Sequence, residues 1–359
     1  MLPRVLLCGE IKYVQDESKE MFHGIAELVH LVSESRSHFL SSFGPGGPYE
    51  GTVALYRLNK SSELIGKFDG PLIHALADKS MVRWIAQNSS GYDEIDVQAC
   101  KERGKFLSQN QLFLTCMFVP GILVSNTPGA NDDATASAAL YLMLSCLRHF
   151  SMAERSLRSG TWKTPYNAAQ THDATGRTLG ILGLGCIGLR FAHFAHAFPM
   201  RIIYFSRTKA ESVPDWCEYV SSIEELCKQA DILSLHVPLN QSTAGMVGEK
   251  EIRTLRRGSV LLNTSRGRIV DQEAMIRALE DGHLSSVGLD VYPDEPRVDP
   301  RLLTFPRCTL LPHIGGESAE SYRRRELQAL GNVKAFVLGG VGEDIVPELR
   351  TEIGKSTTL

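Results

Sequence analysis

Three apolar runs of the 359-residue chain end in side chains that can carry or move charge. They are Asn263-Thr-Ser-Arg266-Gly-Arg-Ile-Val-Asp271, Gly288-Leu-Asp290-Val-Tyr-Pro-Asp-Glu295-Pro296 and Leu311-Pro-His313-Ile-Gly-Gly316. A guanidinium can hold a carboxylate, and an imidazole can give a proton to a developing alkoxide. A carboxylate beside that imidazole favours the imidazolium and fixes the ring. Arg266, His313 and Glu295 therefore compose the set that reduction of a carbonyl next to a carboxylate requires. Each alone has a plain structural reading: a helix-entry ion pair, a satisfied core histidine, a solvated turn residue before Pro296. The ordered set of three argues for chemistry.

A second pattern lies upstream. Leu179-Gly-Ile-Leu-Gly183-Leu-Gly185-Cys-Ile-Gly188 places three glycines at dinucleotide-site spacing, directly after an apolar run and before the helical stretch 189–197. Such glycines allow a tight turn, close approach of a pyrophosphate to backbone N–H groups, and close helix packing. With 31 glycines in the chain, chance supplies roughly 0.2 such patterns, so the strand and helix around it carry the inference. The next apolar run, Arg201-Ile-Ile-Tyr-Phe205, ends in Ser206-Arg207-Thr208. A site that grips the ribose diol of NAD ends there in a carboxylate. Arg207 with neighbouring hydroxyls suits a 2'-phosphate instead, so NADP is expected over NAD.

These groups need strands that present them on one edge. Short apolar runs alternate with longer helical-period stretches, and strands are expected at 5–8, 53–56, 84–87, 178–182, 201–205, 232–235, 259–263, 287–290 and 309–311. The order is that of parallel sheet with crossover helices, an α/β protein. A long helix is expected over 131–150, opened by Asp132 and Asp133, and an extended loop over 158–175. In an open α/β sheet the strand carboxyl ends line the ligand crevice, where all three charged segments could converge.

Composition bounds the partners. Apolar residues make 43% and charged residues 22% of the chain, ordinary for a globular protein, and the length suggests two domains. A net charge of -3 supplies no basic excess for nucleic acid or an anionic membrane. The eight cysteines are scattered without metal-ligand spacing, so no metal is expected and the thiols read as reduced, in the cytoplasm. The first residues hold too short an apolar run for a secretory signal, and no stretch is long enough to span a bilayer.

The segment 105–121 (KFLSQNQLFLTCMFVPG) fits neither period. It separates Cys100-Lys-Glu-Arg-Gly104 from Ile122-Leu-Val-Ser-Asn-Thr-Pro-Gly129, which read together as one helix-end-to-strand unit. Gly104-Lys105 can be encoded with a GTAAG donor, Leu114-Thr115 with a CTAAC branch sequence and Pro120-Gly121 with a CAG acceptor, and excision restores Gly-Ile in frame. The segment reads either as translated intron or as a surface insertion, which chains tolerate well.

With Gly91-Tyr-Asp-Glu-Ile-Asp96, Asn126-Thr-Pro-Gly129, Asp133-Ala-Thr-Ala136 and His236-Val-Pro238, these motifs make nearly the whole chain resemble the D-isomer-specific 2-hydroxyacid dehydrogenase family. The resemblance implies two doubly wound parallel-sheet domains: a flavodoxin-like substrate domain at 1–130 completed by 316–359, and a Rossmann NAD(P)-binding domain at 131–315. It implies reduction of a small 2-oxo acid to the D-2-hydroxy acid, with Arg266, Glu295 and His313 catalytic. Ser90 and Gly91, with Arg266 and His313, would hold the substrate. The cofactor would lie along Gly183, Gly185, Cys186, Ile187, Gly188, Ser206, Arg207, Thr208, His236, Val237, Pro238, Thr243, Thr264, Ser265, Asp290, His313 and Gly315, with Asp290 facing the nicotinamide amide. A homodimer is implied as well. Within the family Ser206-Arg207 looks like the NADPH-preferring glyoxylate and hydroxypyruvate reductases. Aryl substrates of the D-mandelate type remain open, as does a nucleotide-sensing corepressor-like binding role.

Overall fold

The computed structural model describes residues 2–102, 121–163 and 166–353. Among them run twelve strands: β1 Arg4–Cys8, β2 Glu27–His30, β3 Thr52–Arg57, β4 Trp84–Gln87, β5 Leu123–Ser125, β6 Thr178–Leu182, β7 Arg201–Phe205, β8 Cys217–Tyr219, β9 Ile232–Leu235, β10 Ser259–Asn263, β11 Leu284–Leu289 and β12 Thr309–Leu310. They form a five-stranded sheet in the order β2-β1-β3-β4-β5 and a seven-stranded sheet in the order β12-β11-β10-β9-β6-β7-β8. Every neighbouring pair is parallel. The chain divides into two compact units, Met1–Asn131 with Ala319–Leu359, and Asp132–Ser318.

In the second unit, side-chain alternation assigns each strand to both faces. Ile202 and Tyr204 of β7, with Val260 and Leu262 of β10, join one buried cluster. Ile203 and Leu261, their immediate neighbours, join the other. Strands buried on both faces read as continuous apolar runs, which is why β6, β9 and β10 stand out in the sequence. Strand order reverses between β6 and β9, and a crevice opens at the carboxyl ends beside such a switch point.

The first unit has the 2-1-3-4-5 order of flavodoxin-like sheets. Its core is completed by the returning helix Ala319–Val337, whose Phe336 stacks on Trp84 with ring centroids 5.3 Å apart. From the same helix Glu326 accepts the backbone N–H groups of Lys12 (2.9 Å) and Tyr13 (2.8 Å), closing the turn after β1.

Two expectations need correcting. The helix foreseen over 131–150 ends at Arg148, because His149 takes a left-handed φ of 54°, and a separate helix Phe150–Arg158 follows. The stretch foreseen as extended loop contains the short helical turn Ala168–Gln170. The segment 105–121 lies outside the described residues, Gly121 apart. No helix among the described residues is long and apolar enough to cross a membrane, and no group of His, Cys, Asp or Glu among them is placed to hold a metal ion.

Candidate active site

The glycine-rich turn opens where β6 ends. Gly183 sits at φ 94°, and a Cβ there would stand 2.7 Å from Val237 and 2.9 Å from the His236 backbone, so only glycine fits. A Cβ on Gly188 would meet the Gly183 carbonyl oxygen at 2.5 Å, which is how tightly the helix Cys186–His196 packs on the turn. Two hydrogen bonds stitch the turn to the end of β7: Gly183 N–H to the Phe205 carbonyl (2.9 Å) and Leu184 N–H to Ser206 Oγ (2.9 Å). Gly185 caps the helix without a side-chain acceptor, and nothing lies within 4 Å of where its Cβ would be. Cys186 is exposed and Ile187 half-buried on the first helical turn. Thr264, after β10, keeps a buried hydroxyl without a hydrogen-bond partner among the described residues. Open space before uncapped helical N–H groups and an orphaned buried hydroxyl fit a dinucleotide pyrophosphate and its neighbouring ring.

Arg207 and Thr208 follow β7 on the surface. Arg207 makes no ion pair among the described residues. Lys209, which sequence reading did not single out, places its ammonium 5.8 Å over the Tyr219 ring. After β9, His236 lies 2.8 Å from Ser234 Oγ through Nε2, and burial pushes its pKa down to about 4, so it is neutral at ordinary pH. Thr243 donates to the Pro238 carbonyl (2.6 Å) and accepts from Asn240 N–H (2.8 Å), so its hydroxyl shapes the loop that carries Val237 and Pro238.

The charged set assembles from three strand ends. At the end of β10, the Asn263 side chain donates to the Arg266 carbonyl (2.9 Å) and accepts from Ser265 N–H (3.0 Å) and Oγ (2.8 Å), folding the strap that presents Arg266. Gly267 passes against the next strand's exit: a Cβ there would lie 2.0 Å from the Tyr292 carbonyl carbon. Beyond β11, buried Asp290 accepts Ile314 N–H and Gly315 N–H, both at 2.8 Å, and burial raises its pKa. That clamp holds the turn in which His313 adopts a φ of 57°, a conformation uncommon for a residue with a Cβ. Asn263 and Tyr292 escaped sequence reading because Asn263 binds mostly backbone groups and Tyr292 contributes its own backbone N–H, neither of which leaves a spacing signal.

Glu295 completes the arrangement. Its Oε1 accepts Tyr292 N–H (2.8 Å), and its Oε2 lies 2.6 Å from His313 Nδ1. Burial alone would raise the Glu295 pKa, but the hydrogen bonds from His313 and Tyr292 N–H, with the charges of His313 and Arg266, bring it below the ordinary carboxylate value. For His313 the hydrogen bond to Glu295 dominates and raises the pKa against partial burial and the Arg266 charge. With Nδ1 engaged, Nε2 is the ring atom that can exchange a proton. Arg266, Glu295 and His313 are thus brought together within the second unit. Ser90 and Gly91 belong to the first unit, in the loop after β4. There Ser90 Oγ donates to the Thr127 carbonyl (3.1 Å), its own carbonyl accepts Asn126 Nδ2 (2.8 Å), and Gly91 N–H reaches Ser89 Oγ at 3.3 Å.

A seven-stranded parallel sheet with a glycine-rich turn after β6, and a guanidinium, carboxylate and imidazole on the same edge, are the features of a nicotinamide-nucleotide oxidoreductase. Residues 140–315 match the model of the D-isomer specific 2-hydroxyacid dehydrogenase NAD binding domain. The chain is similar to 4-methyl-2-oxopentanoate reductase A of Aspergillus oryzae, 36% identical over 97% of this chain and 98% of that protein. Its fold matches a glyoxylate reductase from Paecilomyes thermophila (TM-score 0.86, 38% identity, 97% and 99% of the two chains). It also matches the holo form of Rhodotorula graminis D-mandelate dehydrogenase (0.83, 27%, 96% and 98%). The chain belongs to the D-isomer specific 2-hydroxyacid dehydrogenase family and is an oxidoreductase of 2-oxo and 2-hydroxy acids.

Proposed function

We propose that the protein reduces a small 2-oxo acid of the glyoxylate or hydroxypyruvate type to the D-2-hydroxy acid, with NADPH preferred to NADH and His313 as the proton donor. The 2.6 Å contact between His313 Nδ1 and Glu295 carries this reading, because it holds an imidazolium ready beside the Arg266 charge. The Arg266 guanidinium orients the substrate carboxylate and draws charge toward the carbonyl oxygen. His313 Nε2 delivers a proton to that oxygen as it becomes an alkoxide, and Glu295 balances the charge the ring loses and regains. In the reverse direction the neutral ring takes the hydroxyl proton. A bound nicotinamide nucleotide supplies the hydride. Ser90 and Gly91 offer backbone amides for the substrate carboxylate, and the exposed Arg207, with Thr208 and Lys209 beside it, suits a 2'-phosphate.

The test is a spectrophotometric panel with NADPH or NADH against glyoxylate, hydroxypyruvate, 2-oxoisocaproate and phenylglyoxylate, with His313→Ala as control. Faster oxidation of NADPH on the small acids, and a loss of about 10²–10⁴-fold in the control, is expected. Preference for phenylglyoxylate would move the assignment to an aryl 2-hydroxy acid dehydrogenase, a reading supported by the likeness to the D-mandelate enzyme.

The same proposal includes a cytoplasmic homodimer. Supporting it, Tyr141, Phe150, Leu157 and Trp162 expose large apolar surface on consecutive segments of the second unit, and Cys8, Cys100, Cys146, Cys186, Cys217, Cys227 and Cys308 are all unbridged. Sedimentation at micromolar concentration should give twice the chain mass, and Leu157→Glu with Trp162→Ala should reduce it to one.

A further inference from the structure

The five-stranded sheet buries a cation that the chemistry above does not use. Arg57, the last residue of β3, has no exposed surface. Its Nη1 donates to Gln87 Oε1 (2.5 Å) and Asn59 Oδ1 (3.0 Å), and its Nη2 to Ser62 Oγ (2.6 Å) and Glu94 Oε2 (2.8 Å). Its guanidinium carbon lies 4.8 Å from the Phe68 ring centroid. A buried ion pair is weak evidence for stability, since well-packed apolar residues often replace one without loss. An apolar residue at position 57 would keep the backbone hold on Asn88 but lose the side-chain hold on Glu94. The Arg57 carbonyl accepts Asn88 N–H at 2.8 Å, the first bond after β4, while its guanidinium holds Glu94. Glu94 is fixed again from outside, its carbonyl accepting Phe68 N–H (2.9 Å) and its carboxylate accepting Ser62 Oγ (2.8 Å). One residue therefore ties down both ends of the segment 88–94, and between those anchors lie Ser90 and Gly91.

We propose that Arg57 is a positioning residue: it preorganises the 88–94 loop so that its backbone amides meet the substrate carboxylate without a prior ordering cost. The substrate part of this inference rests on the role proposed for Ser90 and Gly91. Ordering the loop in advance acts on binding of the 2-oxo acid and leaves the proton and hydride steps alone.

The test compares wild type, Arg57→Lys and the double variant Arg57→Met with Glu94→Gln, which leaves no lone buried charge. In the double variant, cooperative melting should persist and nucleotide affinity should stay within about twofold. KM for the 2-oxo acid should rise about tenfold or more, with kcat within about threefold. Amide exchange should quicken in 88–94 only. Arg57→Lys, which keeps a donor but not the fork, should fall between. An unchanged KM in the folded double variant overturns the proposal. So does a fall of melting temperature, kcat and nucleotide affinity together, which marks a structural role alone. If the wild type reduces no 2-oxo acid, the proposed activity fails and amide exchange alone decides: quickening confined to 88–94 upholds the clamp, and unchanged exchange ends it.

Discussion

A carboxylate 2.6 Å from an imidazole changes what that imidazole does with pH. The raised His313 pKa keeps the ring protonated above the ordinary value of about 6.5, so kcat/KM for reduction should be level below the shifted value and fall above it. The oxidation profile should run the opposite way. Glu295→Gln removes the charge that holds the proton, moving the falling limb to lower pH and costing about tenfold or more at pH 8; a pH–rate series on both proteins checks this. Linkage follows the same signs. The His313 contribution to stability is complete below its unfolded pKa and is lost as pH rises through the folded one. The lowered Glu295 value contributes above its unfolded pKa and is lost on acidification. Both side chains are part-exposed, so solvent screens the pair and the stability effect is small beside the kinetic one. At Gly267 the constraint is steric. Gly267→Ala would push a methyl into the Tyr292 backbone at 2.0 Å, at or beyond the upper end of the about 1–3 kcal/mol cost of overpacking. A lower melting temperature and a displaced Arg266, read as raised KM, are expected. The charged set was legible because its members end apolar runs in chain order. Ser206 was legible only in part: it was read as a phosphate contact, and the structure adds a bond from Leu184 N–H that fixes the glycine turn.

Strands buried on both faces announce themselves, and β4, β6, β7, β9 and β10 fall where their apolar runs place them. The edge strands β2 and β8 do not. β2, Glu-Leu-Val-His, mixes exposed with half-buried positions, and β8, Cys-Glu-Tyr, has one buried, one exposed and one half-buried; each pairs with one neighbour, so neither offers a run or an alternation long enough to read. The break at His149 was equally hidden, since neither proline nor glycine marks it. The segment 105–121 gives an element-scale prediction. Ile122 N–H donates to the Cys100 carbonyl at 3.2 Å, so helix Val97–Glu102 and strand β5 already meet across it. A chain with Gly104 joined to Ile122 should fold, with a melting temperature at least equal to that of the full chain, because loop closure becomes shorter. Loss of cooperative melting on deletion would make the segment a required part of the unit, and transcripts that always retain it would remove the intron reading.

The two units differ in how the chain builds them. Asp132–Ser318 is one continuous stretch with buried clusters on both faces of its sheet, whereas the other unit is made from both ends of the chain. Expressed alone, residues 132–318 should melt cooperatively and bind a nicotinamide nucleotide, with an apparent stabilisation of about 2.7 kcal/mol at a ligand concentration a hundred times Kd. Calorimetry with NADPH, NADH and no ligand tests this, and a fragment that stays unfolded would show that the second sheet depends on the first.

The stacking of Phe336 on Trp84 has a consequence during synthesis. Trp84 leaves the ribosome with its neighbours on β4, but the ring that covers it is made roughly 250 residues later, on the order of ten to fifty seconds at ordinary elongation rates. Throughout that interval the nascent first sheet carries an apolar face with no cover while the middle of the chain is already able to fold. The order of completion is therefore inside first and ends last, and the early sheet is the part of the molecule for which a chaperone has the longest time to compete.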